Sequence, residues 1–199
     1  MSLFVVSTGT ANTASVLAAF RRLGAKPTMA TDLGQVESAE RLVLPGVGSF
    51  GSAMAEIERQ GLRRALVERV GDGRPTLAVC VGMQLLARAS EESVRVEGLA
   101  VIDQAVRRFP DSVRVPQLGW NQVAAKGNGC RFVDDGWAYF ANSFRMTEIP
   151  EGWRVAMTDH GGQFVAALER GDVLACQFHP ELSGSWGSAV LARWLGRAV

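Results

Sequence analysis

Histidine and cysteine are scarce in this chain. Its 199 residues include two histidines, His160 and His179, and three cysteines, Cys80, Cys130 and Cys176, with no C-x-x-C pair. So sparse a set excludes a disulfide framework and a zinc site built on short ligand spacings. It predicts a chain kept in a reducing compartment, the cytoplasm. A surplus of positive charge is also missing. The net charge is +1, and the densest basic pairs, Arg21–Arg22, Arg63–Arg64 and Arg107–Arg108, are scattered. Nucleic acid and anionic membranes both call for an excess of Lys and Arg, so neither is expected as a partner. No apolar stretch approaches the length of a membrane span. The start, "MSLFVVSTGT", lacks the basic lead and long apolar run of a secretion signal. The loop "STGTAN" (7–12) follows an apolar run, but G-x-G-x-x-G and a P-loop lysine are absent, so no nucleotide cofactor is expected.

What is present reads as a soluble globular chain, 47% hydrophobic and 21% charged. Its length suits one domain covering residues 1–199. The first half alternates short β-rich runs, "LFVVS" (3–7), "KPTMAT" (26–31), "RLVLP" (41–45) and "PTLAVC" (75–80), with helical ones. Val16, Leu17, Phe20 and Leu23 recur at helical spacing behind Thr13, a residue able to cap the start. A helical run over 51–73 breaks near Gly61, and "GMQLLARAS" (82–90) reads as a further helix. Strands alternating with helices predict an α/β fold, an open and mostly parallel twisted sheet with helices on its faces. From 94 to 180 the runs turn short and strand-like, separated by "KGNG", "DDG", "PEG", "HGG" and "RGD". They predict an added region of antiparallel hairpins beside the parallel sheet. Trp186, Val190, Leu191, Trp194, Leu195 and Ala198 form the apolar stripe of a closing helix.

In an open parallel sheet, ligands collect at the carboxyl ends of the strands. Three segments belong there: "PGVGSFG" (45–51), "VCVGMQ" (79–84) and "QFHPELSG" (177–184). Cys80 stands where a strand turns at once into a helix. Small neighbours, Ala78 and Gly82, allow the crowded turn that exposes a nucleophile, and the helix that follows aims its positive end at the sulfur and favours the thiolate. Taken alone, a lone cysteine is more often a small buried hydrophobe. A nucleophile needs a base and the base an orienter. His179 closes an apolar strand, and Pro180 fixes the backbone so that Glu181 can hold one ring nitrogen while the other faces Cys80. In "PGVG", Gly46 and Gly48 let backbone approach a ligand closely. The N–H of Val81 and the Val47–Gly48 peptide are the candidate donors to an oxyanion. Gln84 lies one helical turn beyond Cys80, and Glu92 offers a carboxylate suited to an α-ammonium group.

These residues together resemble a known family. "CVGMQ", "FHPE" and the glycine loop are similar to those of class I glutamine amidotransferases. "LVLPGVGSFGSAM" (42–54), "VPQLGWNQV" (115–123) and "YFANSF" (139–144) resemble the subgroup that serves imidazole glycerol phosphate synthase in histidine biosynthesis. The resemblance runs from the first strand to the last helix. It implies a Cys80–His179–Glu181 triad that hydrolyses glutamine to glutamate and ammonia without a cofactor. It also implies an oxyanion site at Val47, Gly48 and Val81, and substrate contacts at Gly46, Gln84, Glu92, Ser143 and Phe144. The implied partner is a (β/α)8-barrel cyclase subunit, joined as a heterodimer through a surface that includes Asn12 and Trp120, which receives the ammonia and whose ligand switches hydrolysis on. The sequence departs from the subgroup's usual residues at Ala78, Gln117, Asn142, Phe144 and Leu182. Two other readings stay open at this point: a glutaminase subunit for another acceptor, such as pyridoxal phosphate synthase, and a catalytically silent binding subunit.

Overall fold

The computed structural model describes residues 1–9, 13–46, 48–127 and 129–197. The first half delivers the alternation expected of it. Strand β1 (Leu3–Val5) leads into α1 (Thr13–Arg22), β2 (Pro27–Met29), α2 (Leu33–Ser38) and β3 (Arg41–Leu44). Then come α3 (Phe50–Arg59), α4 (Arg63–Gly71), β4 (Thr76–Val79) and the single-turn α5 (Val81–Gln84). The break between α3 and α4 falls at Gly61, whose φ of +67° suits glycine. Thr13 is the first residue of α1 itself. Short α2 is an element the apolar pattern did not signal; Asp32 caps it by accepting the Gln35 N–H at 2.9 Å.

The stretch "GMQLLARAS" does not continue as helix. It stops at Gln84, and residues 87–90 form strand β5 (Ala87–Ser90). Tertiary pairing overrides the local pattern here. The Leu85, Leu86, Ala87 and Arg88 carbonyls accept hydrogen bonds from Leu99, Ile102, Ala100 and Gly98, which removes the acceptors a helix would use. Gly98 permits the approach, since a Cβ there would lie 2.1 Å from the Ala87 oxygen.

The second half supplies β6 (Ile102–Arg108), β7 (Gln117–Ala125), β8 (Gly136–Asn142), β9 (Phe144–Arg145), β10 (Arg154–Asp159), β11 (Gln163–Arg170) and β12 (Val173–Cys176). A 3-10 turn over Pro180–Leu182 and helix α6 (Gly184–Trp194) close the chain. Nine strands make one sheet in the order β2-β1-β3-β4-β12-β11-β10-β7-β8, and β5-β6-β9 make a small second sheet. The first five of the nine run parallel, and the hairpins extend the sheet antiparallel, as expected.

Strands β3, β4 and β12 are buried along almost their whole length, as their unbroken apolar runs require of a sheet covered on both faces. Arg69, 1% exposed, donates to the Thr76 hydroxyl and the Pro75 carbonyl under the start of β4, and burial pulls its pKa down to about 10. Register decides what meets at the other end. Leu44 pairs with Ala78 and Cys176 with Val79. The loops that follow β3, β4 and β12 therefore emerge side by side, carrying "PGVG", Cys80 and "QFHPE".

Candidate active site

Cys80 sits at the sharp turn between β4 and α5 with φ +53° and ψ −112°. A non-glycine residue in this region costs about 1–3 kcal/mol and persists only where its surroundings over-determine it. They do so here. The Cys80 N–H donates to the Cys176 carbonyl at 2.7 Å, and its own carbonyl accepts the Gln84 N–H at 3.2 Å. Two glycines interlock behind the turn. A Cβ on Gly82 would lie 2.1 Å from the Leu44 oxygen, and one on Gly46 would lie 2.1 Å from the Gly82 nitrogen. Both positions exclude any side chain. Because α5 is one turn long, its dipole is small, so the sulfur relies more on its immediate partners than the sequence reading supposed.

Those partners come from β12. His179 follows it and is 6% exposed. Its backbone N–H donates to the Tyr139 carbonyl, and its carbonyl accepts the Ser183 hydroxyl at 2.7 Å, so the ring's base is held at both ends. Nδ1 lies 2.9 Å from Glu181 Oε1. Burial alone would favour the neutral ring. The neighbouring Cys80 sulfur and Glu181 carboxylate outweigh it and push the pKa up to about 10. Cys80, His179 and Glu181 thus gather in one cluster where β4 and β12 end.

A cavity of about 120 Å³ opens over the sulfur, lined by Gly48, Cys80, Val81, Gln84, Glu92, Ala141, Asn142, Ser143 and Phe144. Most of the residues expected at a substrate site line it. Gly46 does not, because it stands behind the turn against Gly82. The Val81 N–H is engaged in a long 3.4 Å bond to the Gly46 carbonyl. Gly48 has φ +94°, a conformation that favours glycine. Val47 and Asn12 lie outside the described residues. Glu92 Oε2 accepts the Phe50 N–H at 2.6 Å, tying the cavity's carboxylate to the first turn of α3.

Trp120, expected at a partner surface, is 55% exposed, and Leu118, Trp137 and, beyond the hairpin, Leu182 are exposed as well. The β7–β8 register pairs Leu118 with Ala141, Trp120 with Tyr139 and Gln122 with Trp137, so these residues share one face of the hairpin. His160 lies elsewhere, with Nε2 2.8 Å from the Arg114 carbonyl. Cys130 and Cys176 have thiols pushed up chiefly by burial, Cys130 to about 12, which suits inert side chains.

Compared with known proteins, residues 4–196 match the family model described as glutamine amidotransferase class-I. The chain belongs to that family. Among its relatives, the imidazole glycerol phosphate synthase subunit HisH of Methanothermobacter thermautotrophicus is 40% identical over 96% of each chain. The same subunit of Symbiobacterium thermophilum is 38% identical over 99% of this chain and 94% of its own. The chloroplastic synthase hisHF of Arabidopsis thaliana is 39% identical over 94% of this chain and a third of its own. A crystal structure of a glutamine amidotransferase aligns with TM-score 0.76 over 97% of both chains at 21% identity, a likeness of fold.

One residue of this amidotransferase site escaped the sequence reading. Gln177, fully buried, donates from Nε2 to Cys80 Sγ at 3.7 Å. The available signal was a polar residue directly after the apolar run "VLAC", at a depth where polar side chains need a reason to be.

Proposed function

We infer that this chain is the glutaminase subunit of an imidazole glycerol phosphate synthase, with Cys80, His179 and Glu181 performing the hydrolysis. The observation that carries this is the buried ring of His179, 2.9 Å from Glu181 Oε1, beside a buried cysteine held at a strained strand-to-helix turn with φ +53°. Cys80 thiolate attacks the δ-carbonyl of glutamine, forming a C–S bond and a tetrahedral oxyanion. His179 gives its proton to the amide nitrogen, the C–N bond breaks, and ammonia leaves. The neutral ring then takes a proton from water as the water oxygen attacks the thioester. The C–S bond breaks, glutamate departs, and the thiolate returns. Gln84, Glu92, Ser143 and Phe144 hold the α-substituents.

The oxyanion needs donors. The Val81 N–H is engaged by the Gly46 carbonyl, so that carbonyl must move away before the N–H can serve, beside a second donor from the Val47–Gly48 peptide. A partner supplies that shift in this reading. It is a (β/α)8-barrel cyclase docked as a heterodimer on the exposed face of Leu118, Trp120, Trp137 and Leu182. The same hairpin contributes the Tyr139 carbonyl that holds His179 and the Ala141 carbonyl 4.0 Å from Sγ. Docking there bears directly on the catalytic pair, and ammonia passes to the cyclase.

The test is glutamate release from glutamine by the chain alone, with the cyclase, and with the cyclase and its ribonucleotide ligand. Little release alone, strong release in the ternary mixture and none from Cys80→Ser are expected. Complex formation with no release in any mixture would leave only a silent binding subunit.

A further inference from the structure

The triad does not exhaust the groups on the sulfur. Gln177 follows β12 directly and is fully buried. Its backbone N–H donates to the Ala166 carbonyl at 2.8 Å, which fixes where the side chain starts. Its amide is fixed too. Gln84 Nε2 donates to Gln177 Oε1 at 2.9 Å, and also to the Phe144 carbonyl at 3.1 Å. A carboxamide whose oxygen is spoken for must turn its NH2 the other way, and Gln177 Nε2 then lies 3.7 Å from Cys80 Sγ, within reach of an N–H···S bond. The Phe144 carbonyl is gripped in addition by Asn142 Nδ2 at 2.9 Å. A continuous chain of amides therefore runs from the cavity wall at Phe144, through Gln84 and Gln177, to the sulfur.

We propose that Gln177 is a further catalytic residue of the glutaminase reaction. Its Nε2–H donates to the Cys80 sulfur, as nucleophile and again as the thiolate released from the thioester, and Gln84 holds the amide in the donating orientation. An N–H bond to an anionic acceptor in a buried site is strong, because no water competes for it. A neutral thiol gains little from an N–H donor, so the bond favours the reactive form. It also explains a polar side chain buried beneath the nucleophile where an aliphatic one would pack. The chain of amides gives Gln84 two duties, lining the glutamine cavity and orienting the donor.

The proposal rests on the glutaminase reading for its kinetics but not for its chemistry at sulfur, and the experiment keeps the two apart. Cys80 is alkylated with iodoacetamide at pH 7, with the modified thiol located by peptide mapping, in the wild type, Gln177→Met and Gln84→Leu. Met fills the space without a donor. Leu at 84 leaves Gln177 intact but frees its amide to turn. Gln177→Met is expected to slow alkylation about tenfold, and Gln84→Leu to slow it by a smaller factor. In the partner-stimulated assay Gln177→Met lowers kcat about tenfold with KM for glutamine within twofold, since Gln177 does not line the cavity. Unchanged alkylation in both variants, each melting cooperatively, overturns the proposal and leaves Gln177 a packing residue. If Gln177→Met does not fold, unchanged alkylation in Gln84→Leu overturns it alone. Slowed alkylation in a chain that releases no glutamate under any condition supports the donor and sinks the glutaminase reading.

Discussion

The two walls of the cavity are built differently. The parallel wall, made where β3, β4 and β12 end, is determined several times over. The Cys80 backbone is bonded on both sides, Gly46 and Gly82 interlock behind it, and the sulfur and imidazole have partners; among the described residues of this wall, Glu181 Oε2 is the buried side-chain oxygen left without a protein donor. The antiparallel wall, made by the end of β8 with Ser143 and Phe144 and backed by β7, is unfinished. Asn142 Oδ1 and Gln117 Oε1 are buried without a protein donor, and these two residues face each other across the strands. The outer face of the same hairpin carries exposed Leu118, Trp120 and Trp137. The comparison teaches a division of labour. In the proposed reading Cys80 and His179 are already assembled in the chain, while the oxyanion donors and the docking face are left to be completed by what binds.

The most damaging way to attack this comparison is at the rigid wall. Gly46→Ala sets a Cβ against backbone, which has no rotamer through which to yield. Forced overpacking costs about 1–3 kcal/mol. An ångström of displacement at a nucleophile costs roughly a hundredfold in rate. Stimulated glutamate release from Gly46→Ala should therefore fall at least about a hundredfold while the melt stays cooperative. Near-normal release would mean that the turn is far softer than its packing implies. The open wall is attacked at Trp120. If its ring is an anchor for the cyclase, Trp120→Ala weakens the complex by about 2 kcal/mol, roughly thirtyfold, measured by calorimetry. An unchanged affinity would move the interface off this face.

A gentler probe uses pH on the isolated chain. The His179 pKa is raised above its ordinary 6.5 to about 10. Folding then binds a proton more tightly than the unfolded chain does. The stabilisation is complete below about pH 6.5 and is lost as pH climbs through about 10. The wild type should lose roughly 5 °C more in Tm between pH 7 and 10 than His179→Gln does. Parallel curves for the two would show that the ring is not held as the imidazolium.

The same two walls differ in how far the sequence disclosed them. The parallel wall was legible because its causes are local. Unbroken apolar runs mark β3, β4 and β12, and Cys80, His179, Glu181 and the glycines each sit just beyond one of them. The fold class and the antiparallel extension were legible for the same reason, in run length and turn residues. What stayed hidden depends on distant pairing. The strand at Ala87–Ser90 exists because residues 98–102 take its acceptors and those of Leu85 and Leu86. Gln177 meets Cys80 only through the β4–β12 register. Gly46 sits in the expected loop but behind the turn, a distinction made by a tertiary contact with Gly82. Asn142 and Gln117 stood out as departures in type, yet nothing in their spacing said that both carbonyls would be buried unpaired.

That unpaired couple gives the smallest and most discriminating effect. A buried acceptor without a donor costs about 1–3 kcal/mol, whereas replacing it by an apolar group of similar size is close to neutral or favourable. Gln117 is 5% exposed on the inner face of β7, does not line the cavity, and packs on the same side as Phe140 and Ala138. Gln117→Leu should leave the isolated chain as stable as before or raise its stability by up to about 1 kcal/mol, read from denaturant melts. A clear loss would show that the Gln117 amide earns its place in the unbound chain, and the hairpin wall would then be as complete as the parallel one. If stability instead holds while stimulation by the cyclase weakens, the unpaired carbonyl is a cost carried by the resting chain and relieved only when the complex forms. Control would then be written into the same strand pair that presents the docking face.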